Sequence, residues 1–147
     1  MQKMNDDLIV FGAGVCCAIG QTTQAVSCAL RAGIDNFMES DFISENGSII
    51  KTSKVQNIYS SEINQLINMS KSAIREAIEN INITKDVDII LMTPTLSRES
   101  SSNIDYNELF KKLQSHLSFN FGENSKIIPG GRGDLHKGIS YAREILS

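Results

Sequence analysis

Three cysteines, two histidines and two glycine-rich stretches are the residues of this chain whose types and spacing could do chemistry. The first stretch, "LIVFGAGVCCAIG" (Leu8 to Gly20), sets four strand-forming residues ahead of Gly12, Gly14 and the adjacent Cys16 and Cys17. Strand, Gly-x-Gly, then helix is the local order of a dinucleotide loop, but Cys17 stands where the third glycine of G-x-G-x-x-G belongs. The helix also starts only after Gly20, too late to aim its N-terminus at a pyrophosphate held by Gly12 and Gly14. Close packing of helix on strand is the better reading of these glycines, with a Rossmann-like nucleotide-binding domain as a lower alternative. A reactive thiol needs a helix N-terminus or a basic neighbour. Cys16 and Cys17 lie in an apolar run and Cys28 on the inward stripe of the next helix, so all three are expected to be small core side chains.

The second stretch, "GGRGD" (Gly130 to Asp134), joins a short strand to a helix. Gly130, Gly131 and Gly133 expose backbone N–H groups, Arg132 adds a positive charge, and the following helix dipole favours anions. These four residues and His136, one turn into the helix, are the candidate anion-binding set. The bland alternative is a tight connection with Arg132 solvated and His136 on the surface. The Arg-Gly-Asp triplet by itself reads as chance. No Ser/His/Asp arrangement, paired-carboxylate motif, P-loop or C-x-x-C occurs, and His116 and His136 lack metal-ligand spacing. Neither a metal nor a cofactor is expected.

The elements that must position these residues follow from periodicity. Leu8–Val15 reads as a buried strand. A helix after Gly20 carries Ala25, Val26, Cys28, Ala29 and Ala32 on one stripe, with Thr22 or Thr23 as N-cap and Gly33 as C-cap. Asn46-Gly47 marks a hairpin, both residues tolerating the positive φ of a tight turn. Apolar residues at helical spacing run from Ser60 to Ile81. "VDIILMT" (Val87–Thr93) has the pattern of a strand buried on both faces. A helix from Asp105 has Glu108 in capping-box position, Ile104 to staple against Leu109, and Leu113 and Leu117 on its stripe. Lys126–Ile128 is a short strand, and Asp134 caps a last helix with Leu135, Ile139, Ala142, Ile145 and Leu146 inward. The order β-α-hairpin-α-β-α-β-α implies an α/β fold: a layered, mainly parallel sheet flanked by helices, with one β-hairpin, in a single domain over residues 1–147.

The totals exclude several partners. The 147 residues carry a net charge of −3 with 14 scattered Lys and Arg, so no footprint for nucleic acid or anionic lipid exists. The 13-residue apolar run is shorter than the ~20 residues that span a bilayer. Asp6 and Asp7 ahead of it have the wrong sign for a secretory leader. A reduced, cytoplasmic protein is expected, in which the sequons at Asn46, Asn68 and Asn82 stay idle.

As a whole, "GAGVCCAIG" followed by "ALRAGI", the stretch "ESDFISENGSIIKTSKV", the segment "INMSKSAIREAIENINI", the run "VDIILMTPT" and finally "GRGDLHKGISYAREIL" resemble, in this order, the N-terminal half of a β-ketoacyl synthase (3-oxoacyl-ACP synthase) of the thiolase-like superfamily. The resemblance implies a thiolase-like half-fold ending on a helix with no strand after it. In the family the nucleophilic cysteine stands at the start of that last helix, a position that falls at Gly131 or Arg132 here, and neither can be acylated. The family's catalytic histidines come from its second half. What the resemblance implies is therefore a non-catalytic binding or scaffold domain related to fatty-acid or polyketide synthesis, a pseudoenzyme. It would pair with itself or with a ketosynthase-like chain, and meet an anion or acyl carrier protein at Gly130, Gly131, Arg132, Gly133 and His136. The alternative is a fragment or subunit of an active synthase whose remaining catalytic residues lie elsewhere.

Overall fold

A computed structural model describes residues 8–55, 62–93, 104–130 and 134–146. It is a mixed α/β structure of four helices and two small sheets, in the order α1 (Thr23–Arg31), β1 (Met38–Ile43), β2 (Ile49–Thr52), α2 (Glu62–Ile78), β3 (Ile90–Thr93), α3 (Tyr106–Ser115), β4 (Lys126–Pro129) and α4 (Leu135–Leu146). One sheet is the antiparallel pair β1–β2 and the other the parallel pair β3–β4. The chain divides into two compact units, Phe11–Ile81 and Met1–Val10 with Asn82–Ser147.

In the Phe11–Ile81 unit, α1 is fixed at both ends by its own sequence. The Thr22 hydroxyl accepts from the Ala25 N–H at 3.2 Å. At the other end Gly33, at φ 68°, lets its N–H reach the Leu30 carbonyl and that of Ile34 reach Ala29. Those paired bonds form a Schellman cap, which favours a residue without Cβ at that φ. Only Ala29 of the expected inward stripe is buried, while Ala25, Cys28 and Ala32 are exposed. The small-core reading of Cys28 is thus corrected.

The hairpin forms where Asn46-Gly47 marks it, but only Gly47 takes a positive φ. Asn46 contributes instead through its side-chain carbonyl, which accepts from the Ser48 N–H at 3.2 Å. β1 carries a bulge between Glu39 and Ile43. Within it the Ser40 hydroxyl donates to the Ile50 carbonyl at 2.6 Å and accepts from the Phe42 N–H at 3.2 Å, filling bonds the ladder leaves open. Phe42, Ile43 and Ile49 remain more than half exposed.

The expected buried strand over Leu8–Val15 is absent. Ile9, Val10 and Phe11 are 72, 83 and 82% exposed, and among the described residues no strand precedes β1. The reason lies in the glycines, which bring this backbone onto a helix rather than a neighbouring strand. A Cβ at Gly14 would stand 2.7 Å from the Ala73 carbonyl carbon of α2 and closer still to its oxygen, and one at Gly12 would stand 3.0 Å from the Ala77 carbonyl carbon. The one strand-like feature nearby is the Cys17–Gly20 bridge, closed by backbone bonds of 2.8 and 3.2 Å.

In the other unit, β3 and β4 pair from Ile90↔Lys126 to Thr93↔Pro129. An isolated parallel bridge, Val87↔Phe121, precedes them. Asp88 secures the turn before β4: its carboxylate accepts from the Asn124 backbone N–H at 3.0 Å and side-chain amide at 3.1 Å. Against expectation β3 is only half-buried except at Thr93, because a two-stranded sheet leaves much of each strand uncovered. α3 starts on Asp105, which accepts from the N–H groups of Asn107 and Glu108. Glu108 turns to Lys112, 2.6 Å away, rather than back to the cap.

On α4 the inward face is only partly the expected one: Ala142 and Ile145 lie on it, Leu135, Ile139 and Leu146 do not. Gly138 is buried, with Tyr141, Ala142 and Ile145 half-buried around it, whereas Leu135, Ile139 and Leu146 are 62, 43 and 73% exposed. Gly138 lets the helix sit close to Met92 of β3, whose sulfur a Cβ there would approach to 2.9 Å. Three large apolar residues of α4 therefore form a second stripe beside the packed one. Among the described residues no helix is long and apolar enough to cross a membrane.

Candidate functional site

Ligands of parallel α/β structures gather at the carboxyl ends of the strands, where backbone groups and helix N-termini converge. Here β3 and β4 end side by side, and the Gly130 N–H extends their pairing by bonding the Thr93 carbonyl at 3.0 Å. Thr93 is 4% exposed and its hydroxyl has no hydrogen-bond partner among the described residues. Leaving such a group unanswered costs about 1–3 kcal/mol, and native structures rarely tolerate it without a use. This residue carried no motif, and sequence reasoning missed it. Its only signal was a hydroxyl closing an otherwise apolar run, directly before Pro94.

Of the five candidate anion-binding residues, Gly130 and His136 are described, while Gly131, Arg132 and Gly133 lie outside the described residues. Gly130 lies against Asp134, whose Cβ and Oδ2 would both stand 2.6 Å from a Cβ at 130. The Asp134 carboxylate pairs with Lys137 at 3.1 Å. A carboxylate therefore already stands at the start of α4, and an incoming anion would compete with it for the helix dipole. His136 is exposed and lines an open groove of about 560 Å³ beside β4, with Lys126, Ile128, Pro129 and Tyr141. Lys126 reaches over the Tyr141 ring, 3.3 Å from its centroid, and the Tyr141 hydroxyl donates to the Asn124 carbonyl at 2.9 Å. The groove so has apolar walls and a rim of mixed charge, Lys126 and Lys137 with Glu144.

The three cysteines belong to the Phe11–Ile81 unit. Cys16 and Cys17 are half-buried, and burial, followed by the neighbouring Cys17, pushes the Cys16 thiol up. A raised thiol is a poorer nucleophile at neutral pH. Among the described residues no three His, Cys, Asp or Glu side chains are grouped to hold a metal ion.

The first glycine segment has an occupant of its own. The Glu76 carboxylate of α2 accepts from the Val15 N–H at 3.0 Å and from the Thr23 N–H, at the start of α1, at 2.7 Å. A phosphate seated there would have to displace it. Those bonds, Val15 first and then Thr23, hold the Glu76 carboxyl below its ordinary value of 4.5. A depressed folded value means the clasp stabilises fully above the unfolded value and is lost as pH falls through the folded one. We expect the melting temperature to fall on acidification below 4.5, and Glu76→Gln to flatten that fall while lowering stability at neutral pH. Parallel acid profiles for the two proteins in thermal scans would contradict this.

No family model, curated protein or solved structure matches the chain.

Proposed function

We propose that the chain is a ketosynthase-like binding domain that takes up a polar or anionic ligand at the carboxyl ends of β3 and β4 without acylating itself. In this reading the layered, thiolase-like arrangement of the family surrounds the two sheets, and the domain pairs with itself or with a ketosynthase-like chain. The observation that carries the ligand site is the unanswered Thr93 hydroxyl beside Gly130 and the start of α4. The ligand favoured by Arg132 is acidic, an acyl carrier protein or a phosphate-bearing group, which would have to displace the Asp134 carboxylate from the start of α4. What supports the absence of acylation is chemical. The position the family gives its nucleophile falls on Gly131 or Arg132, and the Cys16 thiol is raised rather than activated.

Two measurements on the whole chain test this. Intact mass after incubation with malonyl and acetyl thioesters is expected to show no adduct. Arg132→Ala is expected to weaken binding of a carrier protein or of inorganic phosphate by about tenfold or more, the effect of losing a charge-assisted bond worth ~1.5–3 kcal/mol. An acylated Cys16 or Cys17, or malonyl-dependent condensation restored by a partner chain, would replace this reading with that of an acyltransferase subunit. Unchanged binding in Arg132→Ala would remove the site.

A further inference from the structure

The loop joining β1 to β2 sets Asn46 ahead of Gly47, and no other asparagine of the chain precedes a glycine. Asn46, Gly47 and Ser48 are all exposed, and nothing lies within 4 Å of the place a Gly47 Cβ would take. The flank of the Gly47 backbone is therefore open to water. The Asn46 side chain folds forward over the peptide that follows it: its Oδ1 accepts from the Ser48 N–H at 3.2 Å, an Asx turn. The same Oδ1 accepts from the Ser44 hydroxyl at 2.5 Å, nearer than the Ser48 carbonyl that this hydroxyl also reaches at 2.8 Å.

Two donors on one amide oxygen are the arrangement that stabilises the charge developing there when a nucleophile adds to the carbon. The nucleophile next in the chain is the Gly47 nitrogen. Its N–H donates to the Ser44 carbonyl at 2.9 Å, and a backbone hydrogen bond of that kind holds it back by about tenfold at most. A single oxyanion donor in a closed site is worth about a hundredfold or more, so even a water-weakened pair offsets the restraint. The other asparagines with side chains fixed by the fold are held differently. The Asn124 amide nitrogen, the group that would leave, is bound by the Asp88 carboxylate at 3.1 Å, and that of Asn36 by the Ala18 carbonyl at 2.7 Å. At Asn46 it is the oxygen that is held.

We propose that Asn46 is a modification site at which the folded hairpin deamidates itself, with water as the co-reactant. The Gly47 nitrogen gives its proton to water and bonds to the Asn46 Cγ. The bond from Cγ to Nδ2 breaks, and Nδ2 takes up a proton and leaves as ammonia. That closes a succinimide ring, which water opens at either carbonyl to give aspartate or isoaspartate; no electrons change hands. Either product adds a negative charge beside Glu45 on a chain whose net charge is −3. Isoaspartate also lengthens the main chain by one carbon within the loop that sets the register of β1 on β2, beginning at Ile43↔Ile49. The loop is thus a slow, one-way switch in the hairpin.

Storage of the full chain in mildly alkaline buffer, followed by peptide mapping with mass spectrometry, tests the site. The mass gain of an amide turned to a carboxyl is expected at Asn46 ahead of every other asparagine, and is expected to be absent at that position in Asn46→Gln. Ser44→Ala is expected to slow the reaction of the folded chain by about fivefold or more, the loss of one of two donors weakened by water. In urea, where the turn is gone and only the Asn-Gly sequence remains, the same substitution is expected to change nothing. Ser44→Thr keeps the hydroxyl and is expected to keep the folded rate, which guards against a general loosening of the turn. Asn46 left intact in the folded chain while it converts in urea, or earlier conversion at Asn124, overturns the proposal. So does a folded rate unchanged or raised in Ser44→Ala, or lowered equally in Ser44→Thr.

Discussion

Gly14→Ala is expected to destabilise the Phe11–Ile81 unit by about 3 kcal/mol, a large share of the roughly 5–15 kcal/mol that holds a domain folded. The obstacle is backbone on both sides. A Cβ at this position would lie 2.7 Å from the Ala73 carbonyl carbon and 3.0 Å from its Cα. No rotamer change relieves that contact, because the neighbour is the main chain of α2 near its middle. Either the segment lifts from the helix or α2 bends. Lifting would also draw Val15 away from the Glu76 carboxylate. Urea unfolding followed by circular dichroism measures the loss, and a shift under about 0.5 kcal/mol, the level of an ordinary surface change, would show that the close approach is not made. Gly12→Ala meets the Ala77 carbonyl in the same way, and the two substitutions share one helix surface, so their effects are not expected to add.

Leu113→Ala is expected to cost about 2–5 kcal/mol. Leu113 is 1% exposed and Leu109, one turn earlier, 3%. Among the described residues the only other buried apolar side chains are Ala29 and Ile67. With so few buried anchors, the cavity left at 113 has little surrounding core to collapse into it. The contrasting substitution is Leu135→Ala, chemically identical but at a side chain 62% exposed. It should change stability by less than about 0.5 kcal/mol. Equal losses at the two positions in the same urea titration would mean that the outer stripe of α4 is covered in solution.

That contrast also marks how far the sequence could be read. Leu109 and Leu113 were legible because a single helical stripe bounded by a capping aspartate admits one orientation. On α4, Ala142 and Ile145 were read correctly as inward, but Gly138 and Tyr141 complete that stripe while Leu135, Ile139 and Leu146 form a second, outer one. Hydrophobicity passes over Gly138, yet close approach to β3 selects the face with the glycine. Periodicity carries no information about how near a strand must come. Leu8–Val15 went astray for a related reason: its composition says strand, whereas pairing requires a neighbour at ladder distance, and Gly12 and Gly14 commit the backbone to α2. Their packing role was readable; the helix they pack on was not. At the candidate site, Gly130 and His136 could be found from a glycine-rich strand-to-helix junction. Thr93 could not, since an orphaned hydroxyl exists only once its surroundings are built.

The Ser40 bulge has a consequence for how safely this chain survives crowding and partial unfolding. Stacking into a fibril requires flat strands in register, so that each residue repeats over its copy above and below. β1 is the opposite of flat: it departs from register between Glu39 and Ile43, and Ser40 locks the departure by bonding both Ile50 and Phe42. A hairpin that displays Phe42, Ile43 and Ile49 to water would otherwise be a ready nucleus for aggregation. One hydroxyl thus helps to hold β1 out of the flat, in-register form that fibril stacking requires.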